Sequence, residues 1–427
     1  MKPSTYSVEE VVGIRGYITS HEGINGTFKE NPEDFYVEEV ADLKIGEGDW
    51  VIIRVKKVNW DTLNFVRVLS NKLRISQKRI SYAGTKDKRA VSVQYFAVRI
   101  KSEDELERLR SLSVKDAEIE IVGRTNKHIQ LGDLKGNIFR VIVRNAKNVE
   151  NIPLIEGELR AKGTPNFFGL QRFGSIRFIT HEVGKYILKR DYETAFWIYV
   201  AKPFEGESED ARSVREILWN TRDVKFGLRE MPKYLRYERT LLQKLREGRS
   251  EKEALLSLPK NLKMMFIHAY QSYVFNNVLS DRIAEFGNLK VVEKGDWVDF
   301  VNLNDYYTFR EDFVKVHDHN YKRVKFLIER GLCALAMPLP GYETPLGDDW
   351  TSERIRFYLE RDGIDLKDFK HEYKEFSSKG SVRVADMLIE QTNLKYEVGE
   401  NVIFSFYLPK GCYATILLRE FVKKPLS

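Results

Sequence analysis

The stretch "AGTKDKRAVSVQ", Ala83 to Gln94, sets one carboxylate, Asp87, between Lys86 and Lys88, with Arg89 two residues on. Cations close to a carboxylate favour its ionised form. Such an acid is a poor proton donor at neutral pH, and the chemistry open to it is that of a nucleophile or a general base. Gly84 permits a tight turn, and the β-branched and aromatic residues after Ala90 read as a strand. The competing reading is a solvated turn, because exposed charge runs mostly hold weak ion pairs. A second stretch, "GTPNFFGLQRFG" (Gly163–Gly174), places Phe167 and Phe168 in a glycine-rich loop beside Asn166, Gln171 and Arg172. An aromatic face stacks on an unpaired base, an amide reads the edge of that base, and Arg meets phosphate. The alternative is a loop that plugs the core, its rings simply buried.

A third stretch, "TNKHIQLGDLKGNIF" (Thr125–Phe139), borders two glycine turns with Lys127, His128 and Lys135. It is suited either to holding phosphate or to making two ordinary turns between strands. "HDH" (His317–His319) and His371–Glu372 are the only metal-like groupings in the pattern. Neither has the paired-histidine helix spacing of a metalloprotease. There is no phosphate-binding P-loop, no dinucleotide fingerprint and no serine elbow, which argues against kinases, NTPases and dinucleotide enzymes.

Secondary elements must hold these stretches. "FYVEEV" (Phe35–Val40) and "WVIIRVKKV" (Trp50–Val58) read as strands. "WDTLNFVRVLSNKLRI" has apolar residues at Leu63, Phe65, Val66, Leu69 and Leu73, near a helical period, with Asp61 as its N-cap. "EDELERLRSL" reads as a short amphipathic helix, and "EIEIVGR" and "NIFRVIVRNA" as strands. From about Asp191 the texture becomes helical, through "RYERTLLQKLREG" and "MMFIHAYQSYVFNNVLSDRIAEF". A strand-rich piece, "KGDWVDFVNLNDYYTFR", comes next, then a helical piece around Val324. "NVIFSFYLPKGCYATILLREF" (Asn401–Phe421) reads as strands. One economical layout is a mixed α/β core made from both ends of the chain, with a helical domain between.

With 427 residues, of which 42% are hydrophobic and 31% charged, two or three domains are expected. No apolar run approaches the roughly 20 residues of a membrane helix, and the start lacks a signal-peptide core. An intracellular, cytoplasmic protein is expected. Cys333 and Cys412 are too few for a disulfide framework and read as buried apolar residues. The net charge of +7 suits a basic face for a polyanion such as RNA or DNA, or a mildly basic protein with no such partner.

Taken in order, "NPEDFYVEEV", "AGTKDKRAVSVQ", "LGDLKGNIF", "GTPNFFGLQRFG", "AYQSYVFNNVLSDRI", "PLPGYETPLG" and "FYLPKGCYATILLRE" resemble the motifs of the TruD family of tRNA pseudouridine synthases, in its archaeal or eukaryotic branch. The resemblance implies an α+β fold, a pseudouridine-synthase core on a mainly antiparallel sheet with an inserted α+β domain. The expected division is 1–188 and 386–427 for the core and 189–385 for the insertion. It implies isomerisation of uridine in tRNA, at position 13 in many members, without cofactor or metal. It implies Asp87 as the catalytic residue, with Phe168 stacking the base, Asn166 and Lys29 in the site and Lys86 kept beside the aspartate; Lys86 and, from the residue pattern, Arg172 are further substrate-binding candidates. Where many members have NYF, this chain has NFF, so Phe167 lacks a hydroxyl. The expected partners are tRNA or another structured RNA, with no DNA, no membrane and a monomeric chain. A non-catalytic RNA-binding protein of the same fold and a metal-dependent hydrolase using His317–His319 are the rivals.

Overall fold

The central strands of the larger sheet are Trp50–Val58 and Val91–Arg99; the second buries side chains on both faces, and the first buries Val51, Ile53, Val55 and Lys57 on one face and leaves the other mostly half-buried. The protein is described by a computed structural model covering residues 1–304 and 306–425. The sheet runs in the order 395–398, 402–409, 136–143, 35–40, 91–99, 50–58, 117–125, with Ile80–Tyr82 added beside 91–99. Its pairings are antiparallel except between Phe35–Val40 and Val91–Arg99, which run parallel with Tyr36 opposite Val91. The two ends of the chain meet in this sheet, because Val402–Pro409 pairs with Gly136–Val143 along its whole length.

A smaller antiparallel sheet is built on Trp297–Asn302. Cys333–Leu339 lies on one side of it, and Thr308–Phe309 and Val314–Lys315 pair on the other. Ser381–Val384 extends the sheet beyond Cys333–Leu339. The strand-rich expectation for "KGDWVDFVNLNDYYTFR" includes Asp305, which lies outside the described residues. Between the sheets in sequence stand seven helices from Thr180 to Phe286. The longest, Lys260–Phe286, has 27 residues and crosses Thr180–Leu188 at Gly184. A Cβ there would come within 2.0 Å of the Phe266 carbonyl oxygen, so only glycine allows this approach.

The helix expected after Trp60 spans Thr62–Leu73, and Asp61 accepts the Asn64 N–H as its cap. Phe65, Val66, Leu69 and Leu73 are buried on it, but Leu63 points outward at 63% exposure. One expectation is corrected at the C-terminus. The strand in Asn401–Phe421 ends at Pro409, and Ala414–Val422 is a helix. Its short apolar run fits either period, and packing decides between them: as a helix it buries Leu417, Leu418 and Phe421 and sets Arg419 2.5 Å from Glu9. Both cysteines are buried. No described helix is long and apolar enough to cross a membrane.

Candidate active site

Asp87 sits in the turn between the strands Ile80–Tyr82 and Val91–Arg99. Neutral groups hold this turn in shape. The Gln94 amide donates to the Gly84 carbonyl, Thr62 Oγ1 donates to Gln94 Oε1 at 3.1 Å, and the Lys86 N–H donates to Thr62 Oγ1 at 2.9 Å. The first residue of the helix Thr62–Leu73 therefore anchors the residue before the aspartate. Lys86 turns inward and pairs with Glu39 at 3.1 Å, the two side chains being 7% and 0% exposed. Glu39 also accepts the Tyr95 N–H at 3.0 Å. A buried pair that is also hydrogen-bonded fixes geometry, and losing either partner strands a charge.

Alternate residues through the turn thus point in opposite directions. Lys86 goes into the core, and Asp87 stays 38% exposed and meets Lys29 at 2.7 Å. Lys29 is only 9% exposed, has a left-handed backbone, and lays its ammonium 4.4 Å from the Phe35 ring centroid. Aromatic faces stabilise a desolvated cation. The parallel pairing of Phe35–Val40 with Val91–Arg99 brings Lys29 to the turn, 58 residues away in sequence. A cavity of about 350 Å³ opens here, lined by Phe28, Lys29, Asp87, Lys88, Arg89, Gln171 and Pro425. Its size falls in the range of small-ligand sites.

Gln171 comes from the phenylalanine-rich loop, whose other candidates lie deeper. Asn166 is fully buried and works as a brace. Its N–H donates to Ala385 O at 2.9 Å and its amide to Val384 O at 3.0 Å. Its Oδ1 accepts from Arg383 at 2.9 Å. The Phe168 backbone is clasped by Asn276, whose Oδ1 accepts its N–H at 2.8 Å and whose Nδ2 donates to its carbonyl at 3.0 Å. The Phe168 ring is 4% exposed and meets Phe275 edge-on at 5.4 Å. Arg383 lies 4.0 Å from its centroid and Arg172 5.3 Å. Arg172 also donates to Ser272 Oγ at 3.1 Å. Phe167 is wholly buried.

The structure therefore gathers Asp87, Lys29 and Gln171 round one cavity, sets Asn166, Phe168 and Arg172 behind the same loop, and turns Lys86 away. In the third motif the Gly132 N–H donates to Ala83 O at 2.7 Å, docking that turn on the start of the Asp87 stretch. Lys127, His128, Lys135, Lys44 and Lys410 line a larger cavity beside it. His317 and His319 stack at 5.5 Å, and among the described residues no group of three or more His, Cys, Asp or Glu is placed to hold a metal ion.

Sequence reading missed Glu39, Thr62, Gln94, Lys57 and Arg383. Lys57 carried a signal, because it continues the buried alternation of Val51, Ile53 and Val55. It is fully buried, donating to Ser92 Oγ at 2.6 Å and to Trp60 O at 3.2 Å. Burial first, then the charge of Lys86, pushes its pKa down to about 8. Since the unfolded value is near 10.5, the unfolded chain binds a proton that the folded one has lost between pH 8 and 10.5. Stability attributable to Lys57 rises with pH across that window. Measured against Lys57→Met by denaturant unfolding, the wild type should gain on the order of 3 kcal/mol from pH 8 to pH 10.5. A constant difference would show that Lys57 stays charged in the fold.

An aspartate clamped by a lysine, at the mouth of a small cavity in a mainly antiparallel sheet whose strands come from both chain ends, has the makings of a base-modifying site of the pseudouridine-synthase kind. Residues 11–421 match the family model described as tRNA pseudouridine synthase D (TruD). The chain is 59% identical over 421 residues to "Probable tRNA pseudouridine synthase D" of Archaeoglobus fulgidus, covering 98% of this chain and 100% of that one. It is 37% identical to the protein of the same name from Methanosarcina acetivorans, with 97% of each chain covered. It is also similar to the crystal structure of the TruD protein from Methanosarcina mazei, with a TM-score of 0.82, 35% identity and 99% of both chains covered. The chain belongs to the TruD family of tRNA pseudouridine synthases.

Proposed function

We propose that this protein isomerises uridine to pseudouridine in tRNA, at position 13, with Asp87 as the catalytic carboxylate. The observation that carries this reading is the 2.7 Å contact of Lys29 with Asp87 at a nucleoside-sized cavity. The reaction breaks the N1–C1′ bond, turns the uracil and rejoins it through C5. A stacked uridine cannot turn, so it must leave the RNA and enter a pocket. Lys29 pairs with Asp87 and aims it, while the Glu39–Lys86 pair and the Thr62–Gln94 bridge keep the turn from shifting. Asp87 then attacks the sugar, attacks the base or removes a proton from the sugar; the geometry is open to all three. Gln171 faces the cavity and offers an amide to a base edge, and Phe168 backs the loop that shuts water out from a detached uracil.

RNA affinity rests on Lys and Arg contacts to phosphate and falls with salt. The protein acts as a cytoplasmic monomer. The core is residues 1–188 with 386–427, the insertion is 189–385, and the RNA lies between them. Incubating an unmodified tRNA transcript with the purified protein and mapping pseudouridine nucleotide by nucleotide tests the proposal. Conversion at position 13 is expected. Conversion elsewhere would overturn the position, and none on any tRNA would overturn the activity.

A further inference from the structure

The largest arginines of the interior are paired with acids. Arg215 meets Glu207 and Glu238, each at 2.9 Å, Arg282 meets Asp296 at 2.5 Å, and Arg419 meets Glu9 at 2.5 Å. That is the rule for charges withdrawn from water. Arg383, half-buried on the strand Ser381–Val384 with its Nε shut off from solvent, breaks it. Its protein hydrogen bonds, among the described residues, go only to Asn166, at 2.9 Å to Oδ1 and 3.2 Å to the carbonyl oxygen. Its buried Nε has no partner. Its guanidinium instead lies on rings, 4.0 Å from the Phe168 centroid, 5.5 Å from Tyr413 and 5.7 Å from Phe275. A second guanidinium, Arg172, shares the Phe168 ring at 5.3 Å, and its one side-chain hydrogen-bond partner, Ser272, is also neutral. The two cations raise each other's cost, and Arg383 is driven below the usual arginine range by burial and by Arg172. A ring alone offsets only part of such a charge.

An arrangement that gathers two positive charges, leaves a donor free and, among the described residues, pairs neither charge with an acid is suited to an anion. The loop carrying Arg172 also carries Gln171, which lines the Asp87 cavity. We propose that Arg383 and Arg172 form a phosphate site, built on Phe168, that takes a backbone phosphodiester of the RNA next to the nucleotide held at Asp87. The planar fork of arginine suits phosphate oxygens better than a lysine ammonium does. Asn166, which the family resemblance places in the site, acts here by orienting Arg383. The inference rests on the proposed RNA substrate and adds a residue 217 positions beyond Asn166.

The test compares the wild type with Arg383→Met, Arg383→Lys and Arg172→Met. It measures the Tm of the free protein, the Kd for an unmodified tRNA transcript across a salt series, and pseudouridine yield. Removing one phosphate contact should weaken binding about tenfold and reduce the log Kd against log salt slope by about one. Arg383→Met should keep or raise the Tm of the free protein, because it removes a charge that only the neutral Asn166 and aromatic faces offset. Arg383→Lys should recover the salt slope but not the full affinity. Arg172→Met, at a more open position, gives the same slope reading should Arg383→Met fold poorly. Wild-type affinity and slope in both Met variants would overturn the site, as would a large loss of Tm with unchanged RNA binding. Absence of pseudouridine with the wild type would overturn the enzymatic reading and leave the binding measurement intact.

Discussion

Asp87→Asn will bind unmodified tRNA within a few fold of the wild type and form no measurable pseudouridine. Asn has the shape of Asp, and residue 87 is 38% exposed, so no cavity opens and the turn stays tied by Thr62 and Gln94. What disappears is the negative charge, and with it both nucleophilic and basic chemistry at that atom. Loss of such a group costs about 10⁴-fold or more in turnover. Lys29, 9% exposed, loses its counter-charge, so a modest fall in Tm accompanies the change. Charge near the RNA becomes one unit more positive, which favours binding if anything. Turnover within tenfold of the wild type would remove Asp87 from the chemistry. The same variant separates an enzyme from a protein that merely binds RNA, because only the former has anything to lose.

Phe168→Ala will lose both activity and stability, and the second effect is what the structure adds. The sequence reading expects a base-stacking ring, with rings simply buried in the core as the alternative. In the structure the ring is 4% exposed, packed on Phe275 and covered by Arg383. Cutting a buried phenylalanine to alanine costs about 3–5 kcal/mol. A clean test therefore uses Phe168→Leu, which keeps most of the buried volume and removes the π-face. Stacking worth about 1–3 kcal/mol corresponds to roughly 5- to 160-fold in turnover. A wild-type rate in Phe168→Leu would take the ring out of the site. Should turnover fall with the salt slope unchanged, the ring serves the base; should the slope fall too, it serves Arg383.

Much of the local structure was legible in the residues. Asp61 announces its helix by the cap it offers, and the alternation in "WVIIRVKKV" announces an interior strand, including the odd lysine at position 57. The segment "FYVEEV" forms a strand as expected, and the motifs in sequence order led to the family and its α+β fold. Two local readings failed for identifiable reasons. Leu63 fits the apolar period of its helix but lies on the flank of the face that buries Phe65, Val66, Leu69 and Leu73, and so turns to solvent. "ATILLREF" is short enough to suit strand or helix, and the burial of Leu417, Leu418 and Phe421 with the Arg419–Glu9 pair chose helix.

By itself, the sequence determined the type of site: a lone acid among cations in a glycine turn, a loop of rings and amides, and the family those pieces resemble. The tertiary structure decided which cation serves the acid. Three cations neighbour Asp87 in sequence, yet the one that reaches it is Lys29, because parallel pairing of two strands closes a gap of 58 residues. It likewise turned Lys86 onto Glu39, buried the Phe168 ring, and delivered Arg383 from the other sheet. The physical reason is that a turn, a cap or a strand is set by residues a few positions apart. The partner of a charge withdrawn from water is set by register and packing, and those exist only once distant segments meet.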